Sequence, residues 1–172
     1  MRTVDGAAFA GLAAVGLLRV AELLYDRQTS RRLRAAGARL VRGDGMSLLV
    51  VVHVLWFATA AAETLLVGAH IGWWSALGGS LLVGGAMLRA WSMRALGWRW
   101  STRVWVLPGA PFVSKGPYRW VRHPIYVGVF LELAGLPLAF GLWWTAGILS
   151  GVNGLALVRR IRLEERALGR AV

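Results

Sequence analysis

Five long apolar stretches run along the chain, and polar segments separate most of them. The stretches span roughly residues 6–24, 45–67, 71–96, 124–140 and 143–158. A helix needs about 20 mostly apolar residues to cross the hydrocarbon core of a bilayer, and several stretches reach that length. The pattern therefore predicts an all-α fold, an integral membrane bundle of about five transmembrane helices, in a single domain over residues 1–172.

The composition agrees with a membrane protein and argues against several other classes. Hydrophobic residues make up 57% of the chain and charged residues only 16%, whereas a soluble domain usually has about 25% charged residues. The formal net charge is +12, but the basic residues cluster between apolar stretches, which indicates loops on anionic lipid rather than nucleic-acid binding. The absence of cysteine excludes disulfides and thiolate metal sites.

The distribution of basic residues predicts how the chain is oriented. Six arginines lie in loop 26–44, six lysines or arginines in region 94–123, and five arginines in the tail from residue 159, whereas the connections around residues 70 and 137–141 have none. Basic loops stay on the cytoplasmic side of a membrane. We therefore expect an external N-terminus, with loop 26–44, region 94–123 and the C-terminal tail together on the cytoplasmic face. The Arg- and Ala-rich usage is typical of a GC-rich bacterial genome, so the membrane is expected to be a bacterial inner membrane.

Several ionisable side chains stand inside the apolar stretches, where they are costly and mark a function or a buried partner. They are Arg19, Glu22, His53, Glu63, Arg89 and Glu132. Arg19 and Glu22 either pair or mark an interfacial helix end. Glu63 and Arg89 either pair between helices or belong to a site. Glu132 is either paired or lines a pocket. His53 is either an interior histidine with satisfied hydrogen bonds, which is the commoner case, or a catalytic group.

The polar segment 116–126 reads Gly-Pro-Tyr-Arg-Trp-Val-Arg-His-Pro-Ile-Tyr. Pro117 and Pro124 cannot both lie inside one helix, so the backbone must be irregular before the fourth helix. Pro124 suits the first turn of that helix, whose free amides favour a carboxylate of a ligand. Tyr118 and Tyr126 offer aromatic faces for a cation. By itself the segment could equally be a basic juxtamembrane loop anchored by aromatic residues.

Some forty residues further on comes Arg162-Leu163-Glu164-Glu165. This pair of motifs resembles the isoprenylcysteine carboxyl methyltransferase family, over residues 88–168. Within the family the chain looks most similar to small bacterial members found beside type III polyketide synthases, through the run Leu-Gly-Trp-Arg-Trp-Ser-Thr-Arg-Val at residues 96–104. The resemblance implies an S-adenosylmethionine-dependent membrane methyltransferase. Its cytosolic cofactor pocket would be built from the 94–126 region and the C-terminal helix, with cofactor elements at 97–126 and 159–169.

The resemblance also assigns residues to roles. The expected cofactor-binding residues are Tyr118, His123, Pro124, Tyr126, Glu164 and Glu165. His123 is the candidate base or orienting donor, and Arg119 or Arg122 would hold an anionic acceptor or the cofactor carboxylate. Arg89 and Glu132 are expected on the substrate side. We expect no metal, because only one of the three histidines, His123, lies in this segment.

The methyl acceptor is expected to be a lipophilic molecule such as an alkylpyrone or alkylresorcinol, met at the membrane lipid. One alternative is carboxyl methylation of isoprenylcysteine or a related prenylated thio-acid. A second alternative is a nicotinamide-dependent membrane reductase of the steroid-reductase type, and a third is a membrane scaffold without enzymatic activity. Binding of S-adenosylhomocysteine or of NADPH distinguishes the methyltransferase from the reductase. The oligomeric state stays open.

Overall fold

A computed structural model describes residues 2–169, which form five long helices and two very short strands. The helices are α1 (Thr3–Ala35), α2 (Met46–Leu66), α3 (Trp74–Leu96), α4 (Pro124–Ala139) and α5 (Ser150–Ala167). Strands β1 (Arg39–Leu40) and β2 (Trp105–Val106) pair antiparallel and so join the loop after α1 to the segment after α3. The prediction of a mostly helical fold is confirmed. The outermost residues of the predicted 1–172 domain lie outside the described part of the chain.

Helix α1 is longer than its apolar stretch. The hydropathy pattern ends the first helix at residue 24 and predicts a basic loop over 26–44, which could form a short separate amphipathic surface helix. Instead the first helix itself continues to Ala35. No glycine or proline stands between residues 17 and 36, and arginine, leucine and alanine are good helix formers. Asp26 also anchors the extension, because its carboxylate accepts the Ser101 hydroxyl at 2.6 Å and the Thr102 amide at 2.8 Å. The first ten residues of the predicted loop are therefore helix.

Two of the described helices, α1 and α2, are long and apolar enough to cross a membrane. Helix α4 is equally apolar in character but has only 16 residues. Large apolar side chains on α1 and α2 are more than half exposed, namely Leu17, Leu18, Val54, Leu65 and Leu66. So many exposed large apolar side chains on two helices are unusual for a soluble monomer and fit contact with lipid.

Helices α3 and α4 pack with their backbones in direct contact. A Cβ atom added to Gly85 would lie 2.7 Å from the carbonyl oxygen of Gly128, which leaves no room for a side chain. The glycine pairs at 78–79 and 84–85 predict such an approach, because small residues let helices come together within lipid. One glycine of each pair makes the contact, whereas a Cβ at its neighbour, such as Gly84, would meet open space.

Gly85→Ala is expected to destabilise the folded protein by about 1–3 kcal/mol, the usual cost of overpacking. Gly84→Ala is the matched control, and it should be neutral or slightly stabilising because alanine is the better helix former. Thermal unfolding of both variants in the same detergent measures the difference. Equal unfolding midpoints would show that the backbones of α3 and α4 are not in contact at Gly85.

The buried carboxylate of Glu63 in α2 holds the start of the last helical segment, which enters α5 through a π-helical turn over Thr145–Leu149. It accepts the amide hydrogens of Trp144 at 3.0 Å and Thr145 at 2.9 Å, together with the Thr145 hydroxyl at 2.8 Å. Free amides at a helix start favour a negative charge. The alternative in which Glu63 pairs with Arg89 is therefore wrong.

Candidate active site

A cavity of about 890 Å³ opens between the helices and the polar segment before α4. Its volume is near the upper end of the roughly 300–1,000 Å³ found for small-molecule sites. One part of the wall is polar and aromatic and includes Tyr118, Arg122, His123, Tyr126 and Glu164. Another part is largely apolar and includes Leu23, Leu49, Val50, Val54, Phe57 and Val129. A single cavity therefore offers both a polar and an apolar environment.

His123 lies against the two glutamates of α5. Its Nε2 atom is 2.6 Å from Oε1 of Glu165, and its Nδ1 atom is 3.9 Å from Oε2 of Glu164. Pro124 occupies the first position of α4, as its ring predicts, so His123 stands at the irregular junction just before the helix. The structure thus brings together segment 116–126 and the paired glutamates, which are about forty residues apart in sequence.

The Tyr126 hydroxyl completes this cluster. It donates a hydrogen bond to Oε2 of Glu164 at 2.6 Å and accepts one from Nε of Arg160 at 3.2 Å. The Tyr126 ring stacks on the His123 imidazole, with centroids 5.7 Å apart. Adjacent residues of a helix point about 100° apart, and the two glutamates accordingly take different partners, Tyr126 for Glu164 and His123 for Glu165.

Arg160 is a site residue that the sequence motifs do not reveal. Its side chain is only 2% exposed, and it donates to the carbonyl oxygens of Asp44 at 2.7 Å and Thr102 at 2.5 Å. Its position four residues before Glu164 is the one signal in the sequence, because that spacing places both on one helix face. Arg160 connects α5 to the loop before α2 and to the segment after α3.

The carboxylate of Asp44 is buried beside Arg160, at 3.6 Å. It accepts hydrogen bonds from Nε of Arg103 at 2.7 Å and from the amides of Val104 at 3.2 Å and Met46 at 3.2 Å. Burial alone would raise the pKa of Asp44, but these hydrogen bonds and the charge of Arg160 hold that pKa below its usual value. Asp44 therefore stays ionised at neutral pH and fixes the wall of the cavity.

Tyr118 and the two predicted catalytic arginines occupy different surroundings. Burial raises the pKa of the Tyr118 hydroxyl, and the Glu164 carboxylate raises it further, so the phenol is neutral. Arg122 lines the cavity, although its side chain is 75% exposed and lies 4.0 Å from Glu165. Arg119 is exposed, and its guanidinium stands over the ring of Trp120 at 5.8 Å. Of the two arginines, Arg122 is the one in contact with the cavity.

Arg89 and Glu132, the two residues predicted on the substrate side, belong to a network of four charges. Arg89 bonds to Glu22 at 2.8 Å and to Glu132 at 2.9 Å. Arg19 bonds to Glu22 at 2.9 Å and also to Glu132. The two arginines balance the two glutamates, and Arg19, Glu22 and Arg89 line the cavity. Arg19 and Glu22 are therefore paired with each other and do not simply mark an interfacial helix end.

The polar part of the cavity is suited to an organic cation. The carboxylate of Glu164 and the rings of Tyr118 and Tyr126 line this part, and carboxylates and aromatic rings are the groups that bind ammonium and sulfonium centres. Among residues 2–169, no group of three or more His, Cys, Asp or Glu could hold a metal ion. The groups present in the polar part of the cavity can bind and orient a ligand through carboxylates, aromatic rings and the His123 imidazole.

Comparison with known proteins places this geometry in a family. The model of the isoprenylcysteine carboxyl methyltransferase (ICMT) family matches residues 77–170, which include His123 and both glutamates of α5. An uncharacterized Bacillus subtilis (strain 168) protein, YpbQ, is 32% identical over 157 residues, an alignment that covers 91% of this chain and 94% of the relative. No solved structure gives a significant match. The chain belongs to the isoprenylcysteine carboxyl methyltransferase family, a family of membrane methyltransferases.

Proposed function

We propose that the protein is an S-adenosylmethionine-dependent O-methyltransferase that methylates a lipophilic acceptor, such as an alkylpyrone- or alkylresorcinol-type polyketide. The observation that carries the proposal is the single cavity that joins the cluster around His123 to an apolar wall. A charged methyl donor suits the first part, and an alkyl chain suits the second. Methyl transfer needs both molecules in one enclosed space, because the reacting atoms must be aligned and water excluded.

The residues around His123 fit this cofactor. Glu164 and Glu165 are suited to its ammonium group or ribose hydroxyls, and the rings of Tyr118 and Tyr126 suit a sulfonium. The amides at the start of α4, beside Pro124, favour a carboxylate. When bound, S-adenosylmethionine supplies an electrophilic methyl group on a positively charged sulfur. The protein's part is to hold that group in place and to keep water out.

We further propose about five membrane spans, with the cavity open to the cytoplasmic face of a bacterial inner membrane. The pairing of β1 with β2 supports this arrangement, because it joins the basic segment after α1 to the basic segment after α3. Arg160 likewise ties α5 to both segments through the carbonyls of Asp44 and Thr102. These contacts among the three basic parts of the chain support one common side for them, as the positive-inside rule predicts.

Ligand binding by the purified protein in detergent tests the proposal. We expect S-adenosylhomocysteine to bind and NADPH not to bind. Glu165→Gln should weaken S-adenosylhomocysteine binding about tenfold or more, since it removes the carboxylate that holds His123 and that we expect beside the cofactor (about 1.4 kcal/mol). Arg166→Gln, which alters the exposed neighbouring residue, is the control and should bind as the wild type does.

Two results would overturn the proposal. Binding of NADPH without binding of S-adenosylhomocysteine would favour the reductase, and binding of neither would favour a scaffold. Transfer of a labelled methyl group then identifies the acceptor, with a 5-alkylresorcinol and a farnesylated cysteine offered in parallel. Methylation of the farnesylated cysteine alone would replace the polyketide acceptor with a prenylated carboxylate.

A further inference from the structure

His53 of α2 lines the same cavity with one ring nitrogen already committed. Its Nδ1 atom is 2.8 Å from the carbonyl oxygen of Leu49, one turn earlier in the helix. A carbonyl oxygen can only accept, so Nδ1 carries the ring hydrogen and Nε2 of the neutral imidazole has a free lone pair. His53 is half-buried among apolar lining residues of α2, including Val50, Val54 and Phe57. The apolar part of the cavity therefore contains one neutral hydrogen-bond acceptor of appreciable basicity.

His123, the base that the sequence suggests, is engaged differently. Its Nε2 atom lies 2.6 Å from the Glu165 carboxylate, which only accepts, so Nε2 must be the donor. A ring nitrogen that already carries a proton cannot remove one from an acceptor molecule. The other nitrogen, Nδ1, faces a second carboxylate, that of Glu164, at 3.9 Å. His123 is thus placed to orient the cofactor side of the cavity rather than to accept a proton.

The charges beside His53 do not call for an anionic ligand. Arg19 of α1 and Glu132 of α4 act electrostatically on its ring, and Glu22 and Arg89 complete their network. This network contains two positive and two negative side chains, so the arginines are already neutralised. Further charged groups line the cavity, namely Glu164 of α5 and, between α3 and α4, Arg99, Arg103 and Arg122. Arg103 is paired with Asp44, Arg99 donates to the carbonyl oxygen of Pro111, and Arg122 lies 4.0 Å from Glu165 beside the cluster around His123. A carboxylate ligand would be repelled by the lone pair of His53 Nε2, and both arginines of this network are already paired with glutamates. The network therefore does not favour binding of a carboxylate beside His53.

We propose that His53 binds the hydroxyl group of a neutral lipophilic acceptor, a phenol or an enol with an alkyl chain, through Nε2. This inference rests on the proposed methyltransferase function and selects hydroxyl acceptors over carboxylic acids. As the hydroxyl oxygen forms its bond to the methyl carbon, the bond from that carbon to sulfur breaks and leaves its electron pair on sulfur. The hydroxyl proton passes to Nε2. The imidazole gains the positive charge that the sulfonium loses.

The test measures acceptor binding without the methyl donor and then turnover. His53→Phe keeps the ring volume and removes the lone pair, so the affinity for a 5-alkylresorcinol should fall about tenfold, which corresponds to about 1.4 kcal/mol. His53→Gln keeps an acceptor oxygen without a base, so it should bind better than His53→Phe. In the wild type, protonation of His53 should lower the turnover rate at acidic pH. The turnover rate of His53→Gln should not show this decrease. Leu55→Ala, on the exposed face of α2, is the matched control.

The outcomes separate this inference from the proposed function. Unchanged affinity of His53→Phe for the resorcinol, or methylation of a matched alkylbenzoate in preference to the resorcinol, would overturn the role of His53. Each variant should still bind S-adenosylhomocysteine like the wild type, which also shows that it is folded. Failure of the wild type to bind S-adenosylhomocysteine would refute the methyltransferase instead, and loss of that binding in both His53 variants would show a structural role.

Discussion

Replacing Arg160 with methionine is expected to destabilise the folded protein by about 3–5 kcal/mol and to abolish S-adenosylhomocysteine binding. The guanidinium donates to two backbone carbonyls and to the Tyr126 hydroxyl, and it stands 3.6 Å from the buried carboxylate of Asp44. Methionine fills a similar volume but removes the positive charge. Among the contacts of the described residues, Arg103 is then the cation that still bonds to the Asp44 carboxylate. The cost is large because buried polar groups lose their partners without gaining water. Chemical unfolding in detergent and ligand titration measure the two effects.

Two further variants show whether the effect belongs to Arg160 itself. Arg159→Met alters the exposed neighbouring residue and should leave both stability and binding unchanged. Arg160→Lys keeps the charge but cannot reproduce the planar fork that reaches three partners, so it should give an intermediate loss. Wild-type stability of Arg160→Met would show that the connection from α5 to the loops is not needed for the fold.

The apolar pattern predicts most of the helices because it reports burial in lipid and in the core directly. Helices α2 and α3 end within a few residues of the predicted stretches, and α4 begins at the predicted Pro124. The end of α1 is different, since hydropathy falls after residue 24 while helix propensity does not. Hydropathy thus predicts where a helix can be buried, and a glycine in the left-handed region, such as Gly37 after α1, marks where it stops.

The sequence predicts only those residues of the site that belong to local motifs. The run before α4 and the glutamate pair of α5 identify His123, Tyr126 and their two carboxylates, and the structure brings these together. The bond between Arg160 and Asp44 joins residues 116 positions apart. Nothing in the local sequence of either residue specifies its partner, since a charged residue after an apolar helix looks like a solvated one.

The sequence also does not specify how the four charged side chains inside the bundle pair, namely Arg19, Glu22, Arg89 and Glu132. Each is recognisable in the sequence as an expensive intramembrane group, but the choice of partners depends on how α1, α3 and α4 pack. That packing is set by close backbone contact at glycines such as Gly85. A paired network can support the fold and also form part of the substrate wall, so Arg89 and Glu132 can have two roles.

Replacing Arg89 with methionine is expected to destabilise the protein by about 3–5 kcal/mol, because Glu22 and Glu132 would then share Arg19 alone. The double variant Arg89→Met/Glu132→Gln restores neutrality and keeps the bond between Arg19 and Glu22, so it should be more stable than Arg89→Met. The coupling energy should lie in the range of about 0.5–3 kcal/mol known for neighbouring residues. Arg94→Met, on the exposed end of α3, is the control.

The double variant also decides between the two roles of these residues. If the network only supports the fold, recovered stability should bring back methyl transfer to the resorcinol. If Arg89 and Glu132 also form the substrate wall, stability should recover while the KM for the acceptor stays raised, with S-adenosylhomocysteine binding unchanged. We expect the second result, because Arg89 lines the cavity that His53 shares. Additive losses in the double variant would mean that the two charges do not stabilise each other.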